Sequence, residues 1–219
     1  ILPLIAQQQA IGALILKAHP GALHADKDRE LLHFVSAQVA TAIERGQLKA
    51  ELLRAAQYDE LTSLPNRRLF QDRLNTALAR SKRKHSRMAL LYIDIDDFKH
   101  VNDSLGHAAG DLLLQHIARR LEACVRKADT VARLGGDEFV VILEDVHGLE
   151  DASAVADKIR SALCEDIEID QRVLRTEASI GVAIYPEDGA DAEALLKYAD
   201  GGMYREKIGQ APAPRQRIL

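Results

Sequence analysis

Apolar and polar positions along this chain fall into short blocks, and most blocks predict a single element. Two apolar segments, Leu2 to Ile5 and Ile11 to Leu16, are separated by Gln7-Gln8-Gln9 and followed by His19-Pro20-Gly21; they predict strands. Two strands alone make no stable unit in water, so residues 1–27 read as the end of a larger upstream domain. Over residues 28–58 apolar side chains recur at Leu32, Val35, Val39 and Ala42, then at Leu48, Leu52 and Ala55, the three-and-four spacing of a helical seam. An extra step of three near Arg45 and Gly46 is a stammer, which overwinds a coiled coil locally. Charges of alternating sign flank the stripe, which favours a dimerising connector over a helix packed on its own domain; both readings stay open.

DELTSLPNRR, Asp59 to Arg68, is a polar turn that leads into a helix from Asn66 to about Ser81, with a basic loop at Lys82-Arg83-Lys84-His85. Met88 to Ile95 predicts a strand, Phe98 to Leu105 a short helix or turn, and Asp111 to Val125 an amphipathic helix. Strands are expected at Val131 to Leu134 and Phe139 to Leu143, joined through Gly135-Gly136, since tight hairpin turns need positive φ. Ala152 to Leu163 reads as helix, Arg172 to Tyr185 as strand-rich, and Ala190 to about Lys207 as helix, with a loose tail over 210–219. The order β-α-β-β-α-β, with an extra helix on each side, predicts an α+β domain with a mostly antiparallel central sheet.

Composition narrows the class. Of 219 residues, 47% are hydrophobic and 28% charged, close to a folded globular average, which excludes disordered and fibrous classes. No apolar run approaches the roughly 18–20 residues a membrane span needs. Twenty-nine basic against thirty-three acidic residues give a net charge of −4, which argues against nucleic acid as a partner. Two cysteines, Cys124 and Cys164, build neither a disulfide framework nor a four-ligand zinc site, and a reducing, cytoplasmic setting follows. With Ile1 first and no signal peptide, the chain reads as a segment whose upstream part is missing.

The candidate chemistry lies in carboxylates at the ends of strands. In LLYIDIDDFKHVND, strand alternation puts Asp94 and Asp96 on one face while Asp97 turns away. GGDEF adds Asp137 and Glu138 directly after a turn whose glycines allow close approach of a ligand. If the two strands are neighbours, Asp94 and Asp137 converge. Hard oxygen donors without His or Cys suit Mg²⁺, which completes its shell with water and phosphates, so a metal-bound phosphate is the substrate class.

These blocks resemble the GGDEF-domain diguanylate cyclases, which join two GTP molecules into cyclic di-GMP. The resemblance runs from Asp59 to about Lys207 and rests on DELTSLPNRR, DIDDFKHVNDSLGHAAGD, RKADTVARLGGDEF, SIGVAIYPEDG and ADGGMYREK in order. It implies a palm-like, nucleotidyl cyclase-like fold over residues 59–209. The segment ahead of it is similar to the C-terminal end of a GAF sensory domain running on into a signalling helix.

By this resemblance Asp94, Asp137 and the Ile95 carbonyl are ligands of Mg²⁺, two ions per active site, with Mn²⁺ as an alternative. Glu138 sits near the attacking 3′-hydroxyl, although metal ions alone would lower that hydroxyl's pKa and leave a protein base unnecessary. Asn102 and Asp111 read guanine, with Leu61 and Leu114 lining the purine pocket or serving the core. Phe98, Lys99 and Lys207 hold phosphate, and His107 is a hydrogen-bonded structural histidine. Arg126 and Asp129, in RxxD register with the hairpin, form an inhibitory site for the product. One phosphodiester needs two opposed nucleotides, so a homodimer is expected, controlled by an upstream sensory domain; a phosphodiesterase domain often follows such units in longer proteins.

Two departures weigh on this reading. After Lys207 the chain runs Ile208-Gly209-Gln210, without the Gly-Arg pair usual in the family, and Gly201-Gly202 interrupt the last helix. The alternative is a catalytically weak module that binds GTP or cyclic di-GMP and regulates a partner domain. A third reading, another palm-like cyclase or polymerase fragment, differs in base choice, which Asn102 and Asp111 set as guanine.

Overall fold

In the computed structural model, residues 1–6, 9–15, 26–169 and 172–209 are described. The expected tail over 210–219, the strand end at Leu16 and the His19-Pro20-Gly21 turn lie outside them. Two units separate, Ile1–Ala56 and Gln57–Leu219. In the first, β1 (Leu2–Ala6) and β2 (Gln9–Leu14) pair antiparallel with Leu2 opposite Leu14. Helix α1 (Asp26–Gln57) then runs unbroken through Gly46, where an added Cβ would meet nothing within 4 Å. Its Leu31, Phe34, Val35, Ile43, Leu48, Leu52 and Leu53 are exposed, whereas Leu32 and Val39 of the expected seam are half-buried. No described helix is long and apolar enough to cross a membrane.

The second unit is built on α2 (Arg67–Lys84), β3 (Arg87–Ile95), α3 (Phe98–Leu105), α4 (His107–Cys124), β4 (Thr130–Gly135), β5 (Glu138–Val146), α5 (Leu149–Leu163), β6 (Ile167–Ile169), β7 (Arg172–Leu174), β8 (Ala178–Tyr185) and α6 (Ala192–Gly209). The central sheet has the order β4-β5-β3-β8 with every neighbour antiparallel, while β6 and β7 form a separate hairpin that the sequence pattern did not reveal. Strand β3 is apolar along nearly its whole length because it is central and covered on both faces. Ala89, Leu91 and Ile93 share one core with Leu113, Ile117 and Ile159 of α4 and α5. Met88, Leu90 and Tyr92, pointing the other way, meet Phe70 and Leu74 of α2 and Leu195 and Ala199 of α6.

Two expectations are corrected. Lys82-Arg83-Lys84 are the last turn of α2 rather than a loop, ended by His85 at φ 54°, and three cations there complement the helix's negative end. Helix α4 begins at His107, four residues before Asp111, because Gly106 at φ 86° allows the chain to turn directly from α3 into α4. Asp111 is thus within the helix and caps nothing.

Helix α6 lies close against β8. A Cβ on Gly181 would stand 1.8 Å from the Ala199 carbonyl oxygen, and one on Gly202 would stand 3.3 Å from Gly181 Cα. Of the two glycines that weaken α6 in isolation, Gly202 therefore lets it lie close on the sheet, whereas Gly201 faces only the Arg205 side chain. Gly181→Ala is expected to lower unfolding stability by about 2 kcal/mol through overpacking, measured by urea denaturation.

Candidate active site

The hairpin that carries the carboxylates is set by its turn. Gly136 has φ 56° and Asp137 does not, the sign pattern of a turn with glycine at its first central position. Gly135 pairs with Glu138, and β5 then runs beside β3 with Asp94 opposite Glu138 and Tyr92 opposite Val140. The Ile95 N–H donates to the Asp137 carbonyl at 3.3 Å. This register joins the two acidic motifs, separated by about forty residues of chain, at one end of the sheet.

Burial, and next the charge of Asp94, push the Asp137 carboxyl above its ordinary pKa. Asp94 is largely buried, and its Oδ1 accepts from Lys207 Nζ at 2.5 Å. Burial opposes the Lys207 charge, yet Asp94, then Asp137 and Asp96, hold the ammonium above its ordinary pKa. The ammonium is thus the counter-charge of the carboxylate cluster, whereas the sequence reading places it on phosphate. Asp96 lies just past the strand end, with Oδ1 accepting from the Ser179 hydroxyl at 2.9 Å and Oδ2 buried without a partner. Burial raises its pKa.

Among the described residues no group of three His, Cys, Asp or Glu side chains stands ready for a metal. Asp137, whose charge the neighbouring Asp94 disfavours, and Asp94 itself offer hard oxygen donors that fit a divalent cation taking its remaining ligands from water and phosphate. Asp94, Asp137 and Ile95 are the residues able to hold it.

Next to the carboxylates, Asp97 begins α3 at φ 55° and makes no side-chain capping bond, so the first-turn amides around Phe98 and Lys99 keep donors for an anion. Lys99 is exposed on this turn. Asn102 of α3 lies against Gly110 of α4 so tightly that a Cβ there would stand 2.0 Å from Asn102 Oδ1, with the Phe98 ring also against it. Asp111 is the next residue, exposed on α4. Leu114 is 2% exposed and belongs to the core, as does half-buried Leu61, whose carbonyl accepts from Gln115 Nε2 at 3.2 Å. His107 is exposed and, among the described residues, has no side-chain hydrogen-bond partner, contrary to the structural role expected of it.

The RxxD pair stands apart, between α4 and β4. Both Asp129 oxygens are engaged by backbone, accepting from the Arg126 N–H at 2.9 Å and the Glu144 N–H at 3.2 Å. The Arg126 side chain is exposed and lines a cavity of about 490 Å³ with His147, Asp151 and Lys158.

Several positions escaped the sequence reading. Arg133 in β4 binds both Asp59 oxygens (2.9 and 3.1 Å) and the Gly136 carbonyl (3.0 and 2.8 Å), tying the DELT turn to the hairpin. Tyr92 donates to Glu138 Oε1 at 2.9 Å, and Arg67 stands 3.7 Å from Glu138 Oε2. The isolated charge of Arg133 inside an apolar strand is the one signal that could have found it.

Comparison with known proteins agrees with this geometry. The family described as "Diguanylate cyclase, GGDEF domain" matches residues 56–211. Diguanylate cyclase TpbB of Pseudomonas aeruginosa is 45% identical over 159 residues, 72% of this chain and 37% of its own. The bifunctional diguanylate cyclase/cyclic di-GMP phosphodiesterase MucR of the same species is 44% identical over 169 residues, 77% of this chain and 24% of its own. The chain therefore spans only about a quarter to two-fifths of those relatives. The solved GGDEF domain of TpbB superposes with a TM-score of 0.69 at 44% identity, covering 70% of this chain and 90% of that one. The coiled coil and GGDEF domain of DgcB from Caulobacter crescentus, solved with cyclic di-GMP, gives 0.71 at 26% identity, covering 81% and 95%. Palm-like sheet, hairpin carboxylates and family match coincide over the same residues, and this chain belongs to the GGDEF-domain diguanylate cyclase family.

Proposed function

We propose that the chain is a diguanylate cyclase that condenses two GTP into cyclic di-GMP and two pyrophosphates as a homodimer. The observation that carries this reading is the β3–β5 register, which sets Asp94 across from Glu138 with Asp137 at the turn between them and the α3–α4 junction alongside. Asp111 accepts from the N1 and N2 hydrogens of guanine, and the Asn102 amide donates to an acceptor on the ring. The first turn of α3, Phe98 and Lys99, takes the triphosphate, with Lys207 as a second cation close by. Asp94, Asp137 and the Ile95 carbonyl hold Mg²⁺ or Mn²⁺, two per site, which supplies charge neutralisation at the α-phosphate and the departing pyrophosphate. In each half-reaction a 3′-oxygen forms a bond to the α-phosphorus of the facing nucleotide, the bond to pyrophosphate breaks, and the hydroxyl proton leaves beside Glu138.

A single site binds one nucleotide, so two protomers face each other. The exposed apolar residues of α1 support a helix pair that sets the distance between half-sites under an upstream sensory domain. Product binds at Arg126, with Asp129 shaping the loop, and slows turnover. Arg126→Ala is expected to raise the inhibition constant for cyclic di-GMP at least tenfold in initial-rate assays.

A second reading, a receptor of weak activity, is favoured by Lys207 sitting on Asp94 at 2.5 Å, where the metal would bind. The deciding experiment incubates the chain, freed of co-purified product, with GTP and Mg²⁺ and follows cyclic di-GMP and pyrophosphate by chromatography. Product appearing faster than linearly with protein concentration supports the dimeric cyclase. Absence of product, with nucleotide binding retained, supports the receptor.

A further inference from the structure

The Glu138 carboxylate is held from two sides. Strand alternation puts Tyr92 and Asp94 on the same face of β3, and the antiparallel register puts Glu138 and Val140 opposite them on β5. Tyr92 therefore stands one pair inward from Glu138, at the distance where a long side chain reaches diagonally. Its ring is buried at 8% exposure within the α2–α6 core, and its hydroxyl comes out at the Glu138 carboxylate, donating to Oε1 at 2.9 Å. Oε2 faces the Arg67 guanidinium, 3.7 Å away at the start of α2. The Glu138 side chain is 35% exposed, so one side of it remains open to whatever occupies the site.

The two contacts differ in kind. Arg67 is 66% exposed, a weak surface partner. Tyr92 has a ring fixed by Phe70 and the apolar residues around it, so its hydroxyl position is set by the fold. Both residues line one cavity of about 480 Å³, floored by Phe70, Leu134 and Leu196.

We infer that Tyr92 is a positioning residue for the cyclase reaction: its buried hydroxyl fixes the Glu138 carboxylate toward the reacting 3′-hydroxyl, with Arg67 as a weaker second tether. This rests on the cyclase reading. The group acts through Glu138 and touches no substrate, so its removal changes the chemical step and leaves GTP binding as it was.

The test is a kinetic double-mutant cycle of Tyr92→Phe and Glu138→Gln on the full chain, with GTP and Mg²⁺, together with the thermal midpoint of each variant. Phenylalanine keeps the ring and removes one oxygen. Tyr92→Phe is expected to lower kcat about tenfold with KM unchanged within twofold and the midpoint unchanged within about 2 °C. In the Glu138→Gln background the same substitution is expected to lower kcat less than twofold, since the group it positions is already altered. An equal tenfold loss in both backgrounds overturns the inference, as does a Tyr92→Phe variant whose kcat matches wild type or whose loss lies in KM. A wild-type chain that makes no cyclic di-GMP overturns the cyclase reading itself, and this inference with it.

Discussion

Asp137→Ala is expected to reduce cyclic di-GMP formation at least a thousandfold, to the limit of detection, while leaving a folded protein whose thermal midpoint without divalent cation equals or exceeds that of wild type. The reason is that Asp137 and Asp94 are partly buried like charges, brought together by the β3–β5 register and compensated by Lys207. Removing one carboxylate relieves that repulsion, so the side chain contributes little to folding. What it contributes is a hard oxygen donor. Wild type should therefore gain stability on addition of Mg²⁺ or Mn²⁺, following the mass-action dependence of a ligand that binds only the native state, and Asp137→Ala should not. Differential scanning fluorimetry across a cation titration reads this directly. A variant that loses activity but keeps the cation-dependent rise in midpoint would move the metal away from Asp137.

The largest stability effect is expected at Asp59→Ala. Asp59 and Arg133 have side chains only 22% and 11% exposed, joined by two hydrogen bonds of the same guanidinium nitrogen, while the rest of the guanidinium holds the Gly136 carbonyl. Alanine leaves a largely buried cation without its anion, a loss of about 3 kcal/mol, at the lower end for broken buried pairs. The midpoint of urea unfolding should fall accordingly with an unchanged slope. Arg133→Lys does not restore what is lost elsewhere in the clamp, since an ammonium cannot reach two acceptors in a fork.

The pH dependence of the same pair has a definite sign. Burial alone would raise the Asp59 pKa, but hydrogen bonds from Thr62 and the Arg133 guanidinium together hold it below its ordinary value. A carboxyl with a lowered folded pKa stabilises the native state above its unfolded pKa of about 3.9, and that contribution is lost as pH falls through the lower folded value. The stability difference between wild type and Asp59→Ala should be full at neutral pH and narrow below about pH 4.

Much of the second unit was legible in the chain because its elements obey local rules. The short continuous apolar run of Met88 to Ile95, the glycines at 135 and 136, and the helical pattern of Ala152 to Leu163 each act over a few residues, and each element formed near its expected bounds. Motif order likewise identified the family, since five blocks in sequence carry more information than any one of them. The basic run after Ser81 was misread because Lys and Arg favour both solvated loops and last helical turns; only the αL residue His85 marks where the helix stops.

Sequence alone determined the element types, the family and the list of chemically apt residues. Tertiary structure decided which residues meet, including several the sequence did not single out: Asp94 with Lys207 across 113 positions of chain, Tyr92 with Glu138, Arg133 with Asp59, and Asn102 with Gly110. It also placed Leu114 in the core, one of the two roles left open for it, and turned both oxygens of Asp129 inward onto backbone. The physical reason is range. Helix periodicity, turn preference and strand alternation depend on neighbours in sequence, whereas register, diagonal contacts and the approach of α6 to β8 depend on how distant elements pack, down to a single hydrogen in place of a methyl group at Gly181.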